Sequence, residues 1–371
     1  AIGYNSLATQ NFTTATDTYN TAVGFQAGTA VTTGTSNTLI GGLAGTAMTT
    51  GVNNVLVGAL SGDVLTDADY NVAVGHQSLS SDTKGGSAVA VGYAALFSQN
   101  FTTSTDNYNT AVGYNAGGAV TTGTLNTLIG GLAGDALTVG GSNVAVGFEA
   151  LSTEDGNGES VAVGYRALKT QNAGVAGYNT AMGWDAGLSL TTGIRNVFIG
   201  AEAGDAVTDS DDNVAVGQGA LSTNTLGSKS VALGQAALFA QNYGTATDSK
   251  NTAVGYHAGV AVTTGVKNTL IGTTAGASLT DADLNTAVGF DALASDTLGS
   301  RSVAIGKSTL NAQNFTTATQ TYNTAVGYHA GLAVTTGTQN TLIGGLAGDA
   351  QTTSSGNTAL GYASLTDNVL G

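Results

Sequence analysis

Two histidines in this chain have a residue type that is common at catalytic and metal sites. His257 and His329 each stand two residues after a glycine, in two copies of the stretch NTAVGYHAG. Other copies of this stretch have Gln26, Asn115, Glu149 and Asp185 at the same place. A general base or a metal ligand needs one particular chemistry at its position. We therefore interpret this position as a solvated turn, and the third histidine, His76, has no histidine or cysteine close to it in sequence.

Three acidic turns share the pattern D-x-D-x-N, which is similar to the start of a calcium-binding loop. Their carboxylates are Asp67, Asp69, Asp209, Asp211, Asp281 and Asp283. A calcium loop of this kind also requires a glycine and a bidentate glutamate further along. Valine or threonine stands at the first of these places, and serine or alanine at the second. We expect ordinary acidic turns without a metal, with calcium binding as the weaker alternative.

No arrangement for catalysis stands out from the rest of the sequence. Glycine accounts for 56 of the 371 residues, but no G-K-S/T motif accompanies it, as a phosphate-binding loop would require. The chain has no grouping of serine, histidine and aspartate outside its repeated text. We therefore predict that the protein is not an enzyme and uses no cofactor.

The overall charge disfavours two classes of partner. The chain has 24 acidic and nine basic residues, a net charge of −15. Nucleic-acid binding needs a basic surface that releases counterions from phosphates, so we expect no nucleic-acid partner. An anionic membrane surface is disfavoured for the same reason, and no apolar run approaches the length of a membrane span. The absence of cysteine excludes disulfides and thiolate metal sites.

An internal repeat organises the whole chain. The glycine that ends each V-G or I-G pair, here called the motif glycine, recurs 21 times between Gly3 and Gly361. Of the 20 intervals, 15 are 17 residues long, four are 21 and one is 19. Such regularity is typical of solenoids, in which each repeat forms one coil. We predict an all-β parallel β-solenoid, or β-roll, of about 20 coils that extends over residues 1–371 as a single array.

The residues before each motif glycine predict a short strand. The first and third residues before it are β-branched or otherwise apolar, as at Val254 and Thr252, and we expect them to face the interior of the coil. The residue between them is never polar, so we expect it to pack against another chain. This predicts an oligomer with inter-chain contacts at Ala22, Leu39, Ala111, Leu128, Ala181, Phe198, Ala253, Leu270, Ala325 and Leu342. A second short strand is expected in the other half of each coil.

The longer intervals between motif glycines also recur regularly along the chain. Every fourth or fifth coil carries an insertion, and the inserted text itself recurs. We expect loops that bulge from the array near residues 9–20, 98–109, 170–179, 240–251 and 312–323. The first and last residues lie within the repeat motif, and we expect the array to be cut from a longer fibre.

The motif resembles the head repeats of YadA-like trimeric autotransporter adhesins. The similarity is carried by KSVALGQAALFAQ (229–241), RSVAIGKSTLNAQ (301–313) and NTAVGYHAG, and similar repeats also occur in bacteriophage tail fibres. The resemblance implies a left-handed coil, a homotrimer and an extracellular fibre on a cell surface or virion. It also implies a host or surface receptor. The lack of a long apolar run separately predicts no membrane insertion of this segment. The 17-residue coil is longer than that family's usual one.

Aromatic residues recur directly after the motif glycine, and threonines recur in the segment VTTG. The aromatic residues favour a packing role or the rim of a trimer, with a stacking ladder or carbohydrate-binding surface as the alternative. The threonines raise ice binding as a weaker possibility. The favoured hypothesis is a structural segment of a trimeric fibre for attachment or display. A purely mechanical filament is the alternative, followed by an ice- or calcium-binding solenoid.

Overall fold

The computed structural model of this chain describes residues 1–367. Within them the chain contains strands, turns and bends but no helix. It forms a parallel β-solenoid of about 20 turns with a 17-residue repeat, which confirms the predicted fold class. The chain divides into two compact units, Ala1–Ala181 and Met182–Gly371. The left-handed coil and the trimer remain predictions.

The strands are two or three residues long. In chain order they are Thr21–Val23 (β1), Thr38–Ile40 (β2), Val55–Val57 (β3), Val72–Val74 (β4), Gly85–Gly86 (β5), Val89–Val91 (β6), Thr105–Asp106 (β7), Thr110–Val112 (β8), Thr127–Ile129 (β9), Val144–Val146 (β10), Val161–Val163 (β11), Thr180–Met182 (β12), Val197–Ile199 (β13), Val214–Val216 (β14), Gly227–Ser228 (β15), Val231–Leu233 (β16), Thr247–Asp248 (β17), Thr252–Val254 (β18), Thr269–Ile271 (β19), Thr286–Val288 (β20), Gly299–Ser300 (β21), Val303–Ile305 (β22), Thr319–Gln320 (β23), Thr324–Val326 (β24), Thr341–Ile343 (β25) and Thr358–Leu360 (β26).

The three-residue strands stack in parallel and in register within each unit. In the first unit Ala22 lies opposite Leu39, and Leu39 opposite Leu56, one repeat further along. In the second unit Ala253 pairs in the same way with Leu270. Among residues 1–367 the expected second strand forms at three places, as the two-residue pairs β5–β7, β15–β17 and β21–β23. In the other coils turns and bends replace it, so that prediction was wrong for most of the solenoid.

The inward and outward faces of the strands are the reverse of those expected. The middle residue of each three-residue strand is buried inside its own coil, whereas Thr252 and Val254 point outward and are half-buried. The predicted inter-chain residues all have 0% exposure within a single chain: Ala22, Leu39, Ala111, Leu128, Ala181, Phe198, Ala253, Leu270, Ala325 and Leu342. They form the core of the solenoid, and the prediction that they contact another chain was wrong.

The narrow interior of the coil explains this arrangement. The fourth residue after the motif glycine points inward opposite the middle residue of the strand, and the two are never both large. At Gly28 an added Cβ would lie 2.5 Å from Leu39 Cδ1 and 3.0 Å from Leu7 Cδ2. Where the fourth residue is leucine, as at Leu79, the strand has alanine, here Ala73. Close packing of this kind leaves no space for β-branched side chains on both walls.

The motif glycine is required by the stacking of the coils. Gly255 has φ +137°, a conformation that residues with a Cβ rarely adopt. An added Cβ at Gly255 would lie 2.5 Å from the carbonyl oxygen of Gly272 in the next coil. Each motif glycine therefore turns the chain at the end of the strand and lets the next coil approach closely.

A ladder of buried asparagines connects successive coils. The backbone N–H of Asn54 donates to Asn37 Oδ1 at 2.9 Å, and the backbone N–H of Asn71 donates to Asn54 Oδ1 at 3.0 Å. Most of the side-chain amides also donate across the coil, as Asn54 Nδ2 does to the carbonyl of Ala68 at 2.8 Å. These bonds satisfy polar groups that would otherwise be costly to bury. They explain why asparagine stands four residues before the motif glycine in 16 of 20 copies.

The insertions fold onto the solenoid through buried polar clusters, here called insertion nodes. In the first node Asp82 Oδ1 accepts hydrogen bonds from the backbone N–H groups of Gly85, at 3.0 Å, and Phe101, at 2.9 Å. Asp82 Oδ2 accepts from Gln99 Nε2 at 2.6 Å, and Gln99 Oε1 accepts from Asn109 Nδ2 at 2.9 Å. All five residues are buried. Equivalent nodes contain Glu154 with Gln171, Asn224 with Gln241, and Asp296 with Gln313.

The third insertion node has a tyrosine, which gives the fold a dependence on alkaline pH. The Tyr243 hydroxyl donates to the carbonyl of Gly265 at 2.7 Å, and burial raises the pKa of Tyr243 to about 12. In the unfolded chain tyrosine ionises near pH 10. Because the folded state retains the proton longer, the contribution of Tyr243 to stability is complete below about pH 10 and is lost as the pH rises toward 12.

We expect Tyr243→Phe to remove this dependence, since the equivalent residues Phe101 and Phe315 show that phenylalanine fits the site. Chemical denaturation of both proteins between about pH 9 and 12 measures it. The parent should lose more stability than the variant across this window. Equal losses would show that Tyr243 ionises as freely in the folded state as in the unfolded one.

Candidate functional site

The histidines lie in turns at the corner of the coil, as predicted. His257 and His329 have φ values of +54° and +55°, and both are half-buried. Each imidazole stacks on the ring of the preceding tyrosine, with centroids 3.9 Å apart for Tyr256 and His257 and 3.8 Å apart for Tyr328 and His329. In each case two rings that are adjacent in sequence pack on each other. These contacts place no further acid, base or nucleophile beside the imidazole.

The acidic turns use their carboxylates to hold neighbouring coils together. The second aspartates, Asp69, Asp211 and Asp283, each accept a 2.8 Å hydrogen bond from a backbone N–H of the preceding coil. Of the first aspartates, Asp209 and Asp281 each accept one from a threonine hydroxyl of the preceding coil, whereas Asp67 accepts one from the adjacent Thr66. Within residues 1–367 no group of three or more histidine, cysteine, aspartate or glutamate residues could hold a metal ion. The turns thus have a structural role that needs no calcium.

Basic residues lie next to the same turns. Lys84 Nζ is 3.7 Å from Asp67 Oδ2, and an Arg195 guanidinium nitrogen is 3.7 Å from Asp211 Oδ2. The third turn lines a cavity of about 290 Å³ formed by Asp281, Asp283, Leu284, Ser300, Arg301, Ala318, Thr319 and Gln320. A cation in any of these places would meet a positive charge already present. Calcium is therefore disfavoured at all three turns.

The threonines of VTTG are engaged in bonds between coils. The first threonine of the pair donates its hydroxyl to a carbonyl of the next coil, as Thr32 does to Thr49 at 3.1 Å and Thr335 to Thr352 at 3.1 Å. The same bond joins Thr121 to Thr138. These hydroxyls stabilise the stack, whereas the second threonines of the pairs, such as Thr33 and Thr122, are exposed.

Within each unit the outward residues of the three-residue strands form a surface, here called the outer strand face. Its first row contains only valine and threonine, and its second row only valine, isoleucine, leucine and methionine. The isoleucines Ile40, Ile129, Ile271, Ile305 and Ile343 are each 38% exposed. No charged side chain interrupts either row. A continuous uncharged surface of this kind marks an interaction site in most soluble proteins.

The area of the outer strand face can be compared with that of a protein interface. Each coil contributes about 4.8 Å of height and roughly 10 Å of strand length, or about 50 Å². About ten three-residue strands in each unit therefore present on the order of 500 Å² per unit. A stable protein–protein interface buries about 800 Å² on each partner. The faces of the two units together reach this area.

One margin of the outer strand face carries exposed aromatic rings. They belong to the residues directly after the motif glycines, here called the aromatic column. Tyr93 stacks on Tyr114 with ring centroids 5.3 Å apart, and Phe148 stacks on Tyr165 at 5.8 Å. The rings are offset and nearly parallel, as aromatic pairs prefer. The structure thus brings together side chains that lie 17 to 21 residues apart in the chain.

The opposite margin contains tyrosines and, in the second unit, charged pairs. Arg195 Nε lies 2.6 Å from Asp212 Oδ1, and Lys229 Nζ lies 2.6 Å from Asp248 Oδ2. Hydrogen bonds from these cations lower the pKa of Asp212 and of Asp248. Exposed pairs of this kind weaken as salt is added. They give the uncharged face a polar border.

Comparison with protein-family models, curated proteins and solved structures finds no match for this chain. No helix long and apolar enough to cross a membrane occurs among residues 1–367. Sequence reasoning missed the insertion nodes and the direction of the strand faces. For the nodes a signal existed, because serine or alanine replaces the ladder asparagine in the coils that precede the longer intervals.

Proposed function

We propose that this chain is a segment of a trimeric extracellular fibre that serves attachment or display. The outer strand face carries the proposal, because two uncharged rows follow the stacked strands of each unit and remain half-exposed in a single chain. Burial of such apolar surface is the main driving force of association. A second and third copy of the same chain provide faces that match it in repeat length.

The resemblance to YadA-like head repeats supports the finer parts of the proposal. It supplies the number of chains, the left-handed coil and the extracellular location. A net charge of −15 suits a fibre that must stay soluble and repel its copies outside the interface. A non-adhesive mechanical filament is the second candidate, favoured by the unbroken parallel register of the strands within each unit.

Sedimentation of the isolated chain tests the proposal. We expect a trimer, because in a monomer the outer strand face would remain exposed to water. A stable soluble monomer would overturn the proposal.

A set of matched substitutions locates the interface. We expect Ile40→Asp, Ile129→Asp and Ile343→Asp together to convert the trimer to folded monomers, because a buried unpaired charge costs several kcal/mol. The control introduces the same three charges in the same coils or adjacent ones, as Thr33→Asp, Thr122→Asp and Thr336→Asp. These threonines are exposed, and other coils have Asp67 or Asp209 at this place. Dissociation by the control set as well would show that charge alone, and not the outer strand face, governs assembly.

A further inference from the structure

The aromatic column contains gaps that are one coil high. Gly131 stands in the column between Tyr114 and Phe148, and Gly345 stands between Tyr328 and Tyr362. Neighbouring rings in the continuous part of the column are 5.3–5.8 Å apart. Two coils together are about 10 Å high, so each gap has room for one further ring. We call the two gaps the ring slots, and each lies within one unit of the chain.

The fold does not require glycine at either ring slot. Neither Gly131 nor Gly345 has a positive φ. An added Cβ at Gly131 would meet only ring carbons of Phe148, at 3.5 and 3.8 Å, which is ordinary contact. At Gly345 it would meet ring carbons of Tyr362 at 3.5 and 3.8 Å and the Tyr328 carbonyl at 3.9 Å. Glycine at these two positions therefore leaves open space between the flanking rings and is not needed for the backbone conformation.

Two observations show that the flanking rings can receive an inserted group. In a third gap, between Phe290 and Tyr328, the chain places its own Lys307, whose Nζ is 5.8 Å from each ring centroid. Tyr114, which borders a ring slot, is 60% exposed, whereas Tyr93, with rings on both sides, is 48% exposed. One face of the Tyr114 ring is thus accessible.

The rim of the first ring slot is polar. Asn115 follows Tyr114 directly, and Glu149 follows Phe148. Lys169 Nζ lies 2.5 Å from Glu149 Oε2, so both signs of charge are present. A pyranose matches this combination, because its C–H faces pack on aromatic rings while its hydroxyl groups reach polar neighbours. A bare aromatic ring would leave the rim unused.

We propose that the ring slot at Gly131 binds one pyranose ring of a glycan. The slot at Gly345 is not included, because the His329 imidazole already covers one face of the Tyr328 ring at 3.8 Å. This inference rests on the proposed function in attachment and names the chemical class of the receptor. The sugar ring lies between the two aromatic rings, in the place that a side chain occupies in other coils.

Saturation-transfer NMR tests the slot at Gly131 with methyl glucoside, methyl galactoside, methyl mannoside and N-acetylglucosamine at millimolar concentration. Phenol serves as the aromatic probe. We expect transfer from the protein to ring protons of at least one pyranoside. The variant Gly131→Phe should reduce this transfer to background with an unchanged melting temperature, because phenylalanine completes the stack between Tyr114 and Phe148.

The matched control is Gly42→Phe combined with Ala201→Phe. Both residues stand in the aromatic column, but the next coil after each has no ring, so neither lies in a slot. The control should retain the full transfer. The proposal would be overturned if no pyranoside, or only phenol, received transfer. It would also be overturned if transfer persisted in the slot-filling variant or was lost in the control.

Sedimentation of the same samples separates this inference from the proposed function. If the protein is a trimer but shows no slot-dependent transfer, the glycan-site proposal is overturned and the fibre proposal is retained. If it is a monomer with slot-dependent transfer, the fibre proposal is overturned and the glycan-site proposal is retained.

Discussion

Replacing Gly255 by alanine is expected to destabilise the solenoid by roughly 4 kcal/mol, from backbone strain and overpacking together. The new Cβ would lie 2.5 Å from Gly272 O, 2.6 Å from its carbonyl carbon and 3.0 Å from the backbone nitrogen of Thr273. These are backbone atoms of the next coil and cannot rotate away. The φ of +137° adds strain for any residue with a Cβ. The coils on both sides should separate first.

Hydrogen exchange provides the most direct measurement, because repeat proteins open locally. Amide protection should fall around residues 252–272 in Gly255→Ala. Gly42→Ala is the control, since no atom lies within 4 Å of a Cβ placed there and its φ is not positive. It should keep its stability or gain up to about 1 kcal/mol through reduced freedom of the unfolded chain. Equal protection in the two variants would contradict the assigned role of the motif glycine.

Replacing Asp82 by leucine is the second change with a large expected effect. Leucine fits by size, since Leu65 occupies the same place in the preceding coil. The substitution leaves three buried donors without an acceptor, the backbone N–H groups of Gly85 and Phe101 and the Gln99 amide. Each such donor costs about 1–3 kcal/mol. We expect a loss of at least about 3 kcal/mol in the free energy of unfolding.

Asp82→Asn is the matched control, because the chain itself has Asn224 in the equivalent node. An asparagine there retains an oxygen acceptor, as Asn224 Oδ1 accepts from the Gly227 N–H at 3.0 Å. We expect a loss of about 1 kcal/mol or less. Urea denaturation of the two variants under the same conditions measures the difference. Equal stabilities would show that the insertion node does not depend on its hydrogen bonds.

The periodic features of this protein could be predicted from its sequence because they depend on local chemistry. Every copy needs a glycine such as Gly255 where the backbone turns and the next coil comes close. The first and third residues before it mostly have strand propensity, and the asparagine four residues before it can bond to a stacked neighbour. Repetition of these signals made the 17-residue coil, the parallel stack and the insertion positions visible.

The direction of the strand faces could not be predicted in the same way. Alternation places Ala253 and Val254 on opposite faces but does not say which face is inside. The β-branched residues were assigned to the core because they are more apolar than alanine. The structure reverses this assignment because the opposite wall of the coil is too close, as the contact of Gly259 with Leu270 shows at 2.6 Å from an added Cβ. The width of the interior depends on both walls together.

The sequence by itself determined the repeat, the strand positions and the places where glycine and asparagine are required, because each depends on neighbours one coil away in the same pattern. Only the tertiary structure decided what lies inside. Gln99 and Asp82 are 17 residues apart and read as loop residues, yet stacking buries them in one hydrogen-bonded node. Stacking also separates Tyr114 and Phe148 by one coil that has no aromatic ring in the column. Partners of this kind are set by the geometry of the whole coil, which no single copy of the repeat contains.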